Sequence, residues 1–290
     1  MKAQNSNKPE TVAKDSRLSY SSMKELMSCE QRYAHRKIYG TAVDSDYEES
    51  DALGTGKAFH QVLENTLHKS WSEDLLLQAM VENKVDASDA DLLRVMLTKY
   101  VEFRKASGYK IVKCELQIAN STYNGFIDGI AVKGDKWYIQ DLKTAARFDD
   151  KLIPRLPMDP QLNLYAHFAP DIDIAVPEVA GLEFGGCLYT QIIKSKAGTM
   201  SGLEKGVKVY ETIIPASVMK PKLFWDMLQD THTRSLELRS GEAPKKNYSS
   251  CFNFFSPCPY FSQCHPGEFT KTADKVIVTT LETIKSEDLL

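Results

Sequence analysis

Apolar residues recur at helical spacing through the first hundred positions, and the chain then changes to alternation. Ser22-Met23-Lys24-Glu25 has the form of a capping box. Met23, Leu26 and Met27 follow at helical spacing and predict a helix running to about Tyr39. Phe59, Val62, Leu63 and Leu67 make the stripe of a second helix. Two more are predicted over 72–83 and, behind the capping box Ser88-Asp89-Ala90-Asp91, over 89–106. From Ile111 the period falls to two, which predicts strands over 111–118, 123–132 and 136–142, with Gly134-Asp135 as a hairpin turn. Asp159-Pro160 supplies an N-cap and a first-turn proline for a helix through Gln161, Leu164, Tyr165 and Phe168. Strands over 182–193 and 207–214 and a long helix over 216–239 complete the pattern.

Helices, then a mixed sheet, then helices again predict an α/β architecture: a mixed β-sheet core flanked by helices. Without an obvious linker, residues 18–268 read as one elaborated domain, helical over 18–108, sheet over 109–214, and helix plus cysteine-rich segment over 215–268. Residues 1–17 are polar and read as a disordered tail, and 269–290 as a strand or tail.

Composition narrows the class. A chain of 290 residues with 42% hydrophobic and 26% charged positions is neither collagen-like nor mostly disordered. It has no apolar run of the roughly 20 residues that a membrane helix needs. The net charge of -3 excludes a basic nucleic-acid coat and leaves room only for a local groove. The polar start lacks a signal-peptide core, so the expected compartment is the reducing cytoplasm. There, clustered cysteines more often bind metal or do redox chemistry than form disulfides.

The candidate chemistry lies in the strand block. Asp128 sits in Gly125-Phe126-Ile127-Asp128-Gly129, and Asp141 and Lys143 sit two apart in Gln140-Asp141-Leu142-Lys143, on one face of their strand. Carboxylates from adjacent strands can hold a hard cation such as Mg²⁺ or Mn²⁺, with a nearby Lys to orient attacking water. Taken alone, Asp141 and Lys143 read more readily as an exposed cross-strand charge pair, since D-x-K occurs often by chance. Gln161 and Tyr165 are one helical turn apart, just after the strands. His60 lies early in the second helix, in Gly56-Lys57-Ala58-Phe59-His60, where a lone His is also an ordinary capping or surface group. Glu115 lies on the face of the first strand opposite Val112, Cys114, Leu116 and Ile118, which is also an ordinary place for a glutamate. Gly54-Thr55-Gly56-Lys57 imitates the end of a phosphate-binding loop, but Asp51 stands where its first Gly belongs and Ala58 replaces its Ser or Thr.

In order, these residues spell G-x-x-x-H, E, G-x-x-D, D-x-K and Q-x-x-x-Y between Gly56 and Tyr165. The set resembles the RecB-like branch of the PD-(D/E)XK nuclease superfamily. The resemblance implies a restriction-endonuclease-like core and a metal-dependent DNA nuclease. It implies metal ligands at His60, Asp128, Asp141 and the Leu142 carbonyl, and Lys143 as the group that positions water. Gln161 and Tyr165 would steer the DNA strand or support the site. One departure is Asp141, where many members carry Glu. An exonuclease acting on single strands or ends, in repair, recombination, phage DNA metabolism or CRISPR adaptation and with a possible helicase or recombination partner, is the first expectation. A structure-specific endonuclease or a silent DNA-binding protein on the same fold are the alternatives.

Cys251, Cys258 and Cys264 are spaced x6 and x5 in an aromatic, Pro-containing segment, and Cys29 can supply a fourth thiolate from the opposite end of the chain. Thiolate ligation suits Zn²⁺ or an iron–sulfur cluster, and the spacing lacks the paired C-x-x-C knuckles usual for zinc. One early and three late cysteines resemble the [4Fe–4S] staple of AddB-type and CRISPR-associated RecB-like nucleases, with zinc as the alternative. His265 could replace a thiolate, and Cys114 and Cys187 read as core residues. For a DNA path the candidates are Arg32, Arg36, Lys37, Lys194, Lys196, Lys220 and Lys222. Phe254, Phe255, Tyr260 and Phe261 would either stack on bases or shield the cysteines.

Overall fold

Ser19, rather than Ser22, caps the first helix: its hydroxyl accepts the Ser22 N–H at 3.2 Å, and α1 spans Tyr20–Ser28. The computed structural model that shows this describes residues 15–44, 51–195, 197–253 and 256–265. They fall into two compact units, one of Met1–Met27 with Glu49–Glu242 and one of Ser28–Glu48 with Ala243–Leu290. The single helix expected as far as Tyr39 is broken at Cys29, which is extended at φ -162° and ψ 111°. The reason is tertiary. Asn247 Nδ2 and Ser250 Oγ both donate to the Ser28 carbonyl, at 2.8 and 3.0 Å, and occupy an acceptor that a continuing helix would use. The chain resumes as α2 (Glu30–Tyr33) and a π-helical turn, Ala34–Tyr39.

Three helices follow: α3 (Asp51–Asn65), α4 (Glu73–Glu82) and α5 (Ala90–Ser107). Ser72 caps α4 by accepting the Leu75 N–H. Asp86, not Ser88, makes the cap before α5, through a short 3₁₀ turn over Ala87–Asp89. Phe59, Val62 and Leu63 of α3 and Leu93, Met96, Leu97 and Tyr100 of α5 are fully enclosed. Two expected stripe residues are not: Met27 of α1 is exposed, and Leu67 falls past the end of α3 at φ 48°, where it too is exposed.

The strands are β1 (Lys110–Ala119), β2 (Asn124–Lys133) and β3 (Lys136–Ala145), joined as antiparallel neighbours. Lys133 pairs with Lys136 across the turn at Gly134, whose φ of 62° only Gly adopts without strain. Helices α6 (Pro160–His167) and α7 (Ala169–Ala175) then carry the chain to β4 (Glu183–Ile193), which pairs with β3 in parallel. Asp159 caps α6 by accepting the Leu162 N–H, with Pro160 at its start. After α8 (Met200–Gly206), β5 (Lys208–Pro215) closes the sheet antiparallel to β4, giving the order β1-β2-β3-β4-β5. Pro221 opens α9 (Pro221–Ser240) behind a 3₁₀ turn, so this helix starts later than the expected 216. Leu142 of β3 and Ile192 of β4 join α3, α4 and α5 in one apolar core, while α9 packs on α6. This is the expected mixed sheet flanked by helices. The remaining elements are a two-residue ribbon, β6 (Phe252–Asn253) with β7 (Ser256–Pro257), and α10 (Phe261–Cys264). No helix among the described residues is long and apolar enough to cross a membrane. The expected tails over 1–17 and 269–290 lie outside the described residues, apart from Asp15 to Arg17.

A buried polar network ties α5 to the sheet. Arg104 Nη2 meets Glu211 Oε2 at 2.6 Å with both side chains nearly enclosed, and Thr190 donates to the same carboxylate at 2.8 Å. Tyr100 accepts from Gln140 Nε2 at 2.9 Å and also pairs with His68. Removing one member of a buried ion pair leaves the other charge unsolvated, whereas replacing both by apolar groups does not. Arg104→Met should therefore cost about 3–5 kcal/mol in urea unfolding, and the double variant Arg104→Met with Glu211→Leu should recover most of it. A single-variant loss below about 1 kcal/mol would place this pair among the weakly coupled surface bridges.

Candidate active site

The ladder between β2 and β3 runs from Lys133–Lys136 to Gly129–Gln140 and stops there. One more step of the same register would set Asp128 opposite Asp141. Instead of a backbone partner, the Leu142 N–H finds the Asp128 carboxylate, with Oδ2 at 2.6 Å. An acidic side chain has replaced a rung of the sheet. Asp141 beside it is 1% exposed. Its Oδ1 accepts from Lys143 Nζ at 2.8 Å, and its Oδ2 is buried without a hydrogen-bond partner. A buried carboxylate oxygen left bare is costly, and a bound cation would satisfy it.

Lys143 continues the arrangement by donating to Gln161 Oε1 at 3.1 Å. Gln161 Nε2 donates to Tyr165 Oη at 2.7 Å, and that hydroxyl donates to the Phe126 carbonyl at 2.7 Å. The one-turn spacing of Gln161 and Tyr165 on α6 serves this relay. It begins at Asp141 in β3 and ends on β2, so the expected steering pair is tied to the carboxylates.

On the α3 side, His60 Nδ1 stands 3.6 Å from Asp128 Oδ1. Gly56 permits that approach: a Cβ there would lie 3.0 Å from Thr144 Oγ1 of β3. Gly54 to Lys57 are helical and Thr55 donates to Asp89, so these residues form no phosphate loop. Glu115 adopts φ 45°, in the left-handed region that a glutamate rarely visits. The expected alternation of β1 also slips, because the register shifts between Ile111 and Lys113 and leaves Val112 as the extra residue. Ile111 is buried in its place. Glu115, His60, Lys143 and Lys194 share one open groove of about 1310 Å³, together with Glu64. Glu64, four residues after His60 on α3, was not expected at the site; its position one turn along is the signal that points to it. Leu142 belongs to the apolar core and also borders the groove.

The charges shift one another. Burial raises Asp141, and the Asp128 carboxylate adds to this, so it stands at about 6 in spite of Lys143. Burial opposes ionisation of Asp128 as well, but His60, Lys143 and the Leu142 N–H outweigh it and hold that carboxyl below its ordinary value. His60 is disfavoured as a cation by burial, yet its Asp128 neighbour raises it overall. Glu115 is raised by burial, then by Asp128 and Glu64.

Of the other expected cations, Lys222 pairs with Asp226 on α9, and the Lys220 N–H donates to Asn163. Lys196 lies outside the described residues, as do Phe254 and Phe255. In the second unit, Cys29, Cys251, Cys258 and Cys264 all line one cavity of about 20 Å³, with Arg32 and Lys246 beside them. None is in a disulfide. Burial raises Cys264, and Cys258, Cys29 and Cys251 each push it further. His35 Nε2 lies 3.6 Å from Cys264 Sγ and His265 Nε2 3.7 Å from Cys251 Sγ. Tyr260 is buried and stacks on His35, while Phe261 packs on Phe252 and His265 and lines the cysteine cavity. Among the described residues, no group of three or more His, Cys, Asp or Glu side chains has the geometry to hold a metal ion as it stands. Cys187 is buried in β4, as expected of a core residue, whereas Cys114 is only partly buried, packed against the small cluster of Tyr109, Ile111, Ala131 and Leu188.

A carboxyl raised in the folded state holds its proton after the unfolded chain has lost it. Asp141 therefore lowers the stability of the metal-free protein as pH rises from about 4 to about 6, and adds nothing further above that. Asp141→Asn should gain on the parent by something on the order of 2 kcal/mol across that interval in chelator-treated protein. Parallel pH profiles of unfolding free energy would show that Asp141 ionises normally.

A family model described as the PD-(D/E)XK nuclease superfamily matches residues 17–265. No curated protein matches the chain. A solved structure, that of SSO0001, aligns over 86% of this chain and 96% of that one at 12% identity, with a TM-score of 0.29, and a superposition that loose carries no argument. The family match takes in β1 to β5 together with His60, Asp128, Asp141 and Lys143, and by that match the chain belongs to the PD-(D/E)XK nuclease superfamily.

Proposed function

We propose that the chain is a Mg²⁺- or Mn²⁺-dependent deoxyribonuclease, an exonuclease acting on single strands or DNA ends. The observation that carries this is the bare, buried Oδ2 of Asp141 next to Asp128 and Lys143. Asp128, Asp141, the Leu142 carbonyl and His60 are the groups that would hold the cation, and hard oxygen donors with one imidazole suit it. A divalent ion there supplies charge neutralisation and polarisation of the phosphodiester.

The chain's own residues do the rest. Lys143, fixed between Asp141 and Gln161, presents an ammonium to the attacking water and to the charge that develops on phosphate. Gln161 and Tyr165 keep that ammonium from swinging into solvent. Glu115 adds a third carboxylate from the neighbouring strand, and Lys194 stands in the same groove for a phosphate further along.

In the second unit the proposed group is a [4Fe–4S] cluster on Cys29, Cys251, Cys258 and Cys264. Four free thiols facing one small cavity, with Arg32 and Lys246 to offset thiolate charge, support that reading.

Asp141→Ala and Lys143→Ala should each abolish metal-dependent degradation of end-labelled DNA while leaving the fold intact, and closed circular DNA should survive the parent protein. Variants that cut as well as the parent would remove these residues from the mechanism, and rapid loss of circles would make the enzyme an endonuclease. For the cysteines, anaerobically purified protein should be brown, with about four irons per chain by metal analysis. Cys29→Ser should lose that colour and melt lower while still cutting DNA. A colourless parent with one zinc per chain would replace the cluster by a zinc site.

A further inference from the structure

Phe126 does not behave like the rest of β2. Its neighbours Gly125 and Ile127 are buried, and so is Ile118 across the ladder from Gly125, whereas Phe126 is 48% exposed. Its cross-strand partner Gln117 is exposed as well, so this pair marks the open face of the β1–β2 hairpin. A large aromatic on solvent forgoes the burial that ordinarily keeps it in a strand.

Its position is fixed on the machinery of the site. The Phe126 carbonyl is the final acceptor of the relay through Lys143, Gln161 and Tyr165. Phe126 precedes Asp128 by two residues, about 6.6 Å along the strand on the same side. Gln117, opposite it, follows Glu115 of the groove by two residues on β1. The backbone carrying the ring is thus held from both sides at a set distance from the carboxylates.

We propose that the Phe126 ring is a stacking platform for an unpaired base, next to the nucleotide whose phosphate lies at Asp128 and Asp141. Phe offers a flat face and no hydrogen-bonding group, so such contact is indifferent to base identity and needs the base unpaired from its complement. It would make single-stranded DNA the preferred substrate class without sequence specificity. The inference rests on the deoxyribonuclease reading above and deepens it by assigning the residue that selects strand state.

The test uses the whole 290-residue chain carrying Lys143→Ala, so that binding is read without cleavage, with Ca²⁺ present. The probe is a single-stranded 12-mer holding one 2-aminopurine, moved stepwise along the strand. At one position the fluorescence should be quenched, and adding Phe126→Leu, which keeps an apolar side chain of similar size, should abolish the quench and weaken binding at least fivefold. Phe126→Trp should preserve both. In the otherwise unaltered enzyme, Phe126→Leu should raise KM for single strands at least fivefold with kcat little changed, and an abasic nucleotide at the quenched position should erase the difference between parent and variant. Equal quenching and equal KM in parent and Phe126→Leu would overturn the platform even if the enzyme cuts DNA. Absence of metal-dependent cleavage in the parent would instead overturn the nuclease reading, and the quench alone would then decide whether Phe126 contacts a base.

Discussion

Everything at the centre of this fold follows from the Asp128 carboxylate accepting the N–H of Leu142. In a continuous sheet that donor would belong to a backbone carbonyl on β2. Because a side chain takes it, the β2–β3 ladder ends at Gly129 and Gln140 without leaving the amide unsatisfied. Asp141 follows Gln140 at that ending, buried and still in register with β4. The two acids are therefore brought together by the sheet's own hydrogen-bond requirement, not by a loop that could let them separate.

The relay then closes on itself. From Asp128 it crosses to β3 through Leu142, passes along β3 to Lys143, crosses to Gln161 and Tyr165 on α6, and returns to β2 at the Phe126 carbonyl. Each member is held from two directions, which is how a site keeps its geometry within a fraction of an ångström. The flanking elements make this rigid. Parallel pairing to β4 fixes β3 along its length, and Arg104 and Glu211 bind α5 to β5 across the sheet. On the α3 side, Gly56 lets the helix settle close enough to β3 for His60 to reach Asp128.

Much of this was legible in the residues because it is local. Alternation marked the strands, Asp159-Pro160 marked the start of α6, and two-residue and four-residue spacings placed Asp141 with Lys143 and Gln161 with Tyr165. What was not legible depends on contacts distant in sequence. The helix through Cys29 is interrupted because Asn247 and Ser250 claim the Ser28 carbonyl, and no local pattern announces a partner more than two hundred residues away. The Arg104–Glu211 pair escaped for the same reason, since each side chain alone looks like a surface charge. At Glu115 alternation is not enough, because the extra Val112 and the left-handed backbone of Glu115 show only once β1 is laid against β2.

The charge balance at the site explains why a near-neutral chain can work on a polyanion. Asp128, Asp141 and Glu115 present three carboxylates to one region, against the Lys143 ammonium and a His60 raised by its neighbour. Left to itself such a set repels phosphate, and Asp141 and Glu115 are raised first by burial and then further by the neighbouring carboxylates. On the proposed reading one divalent cation reverses that sign where a phosphodiester must sit. Affinity for the backbone then depends on the ion and on a few groove lysines such as Lys194, with no need for a basic surface. The overall charge of -3 and a DNA substrate are therefore compatible. On that same reading the mutual repulsion of the carboxylates would itself favour a divalent cation, because a cation relieves it.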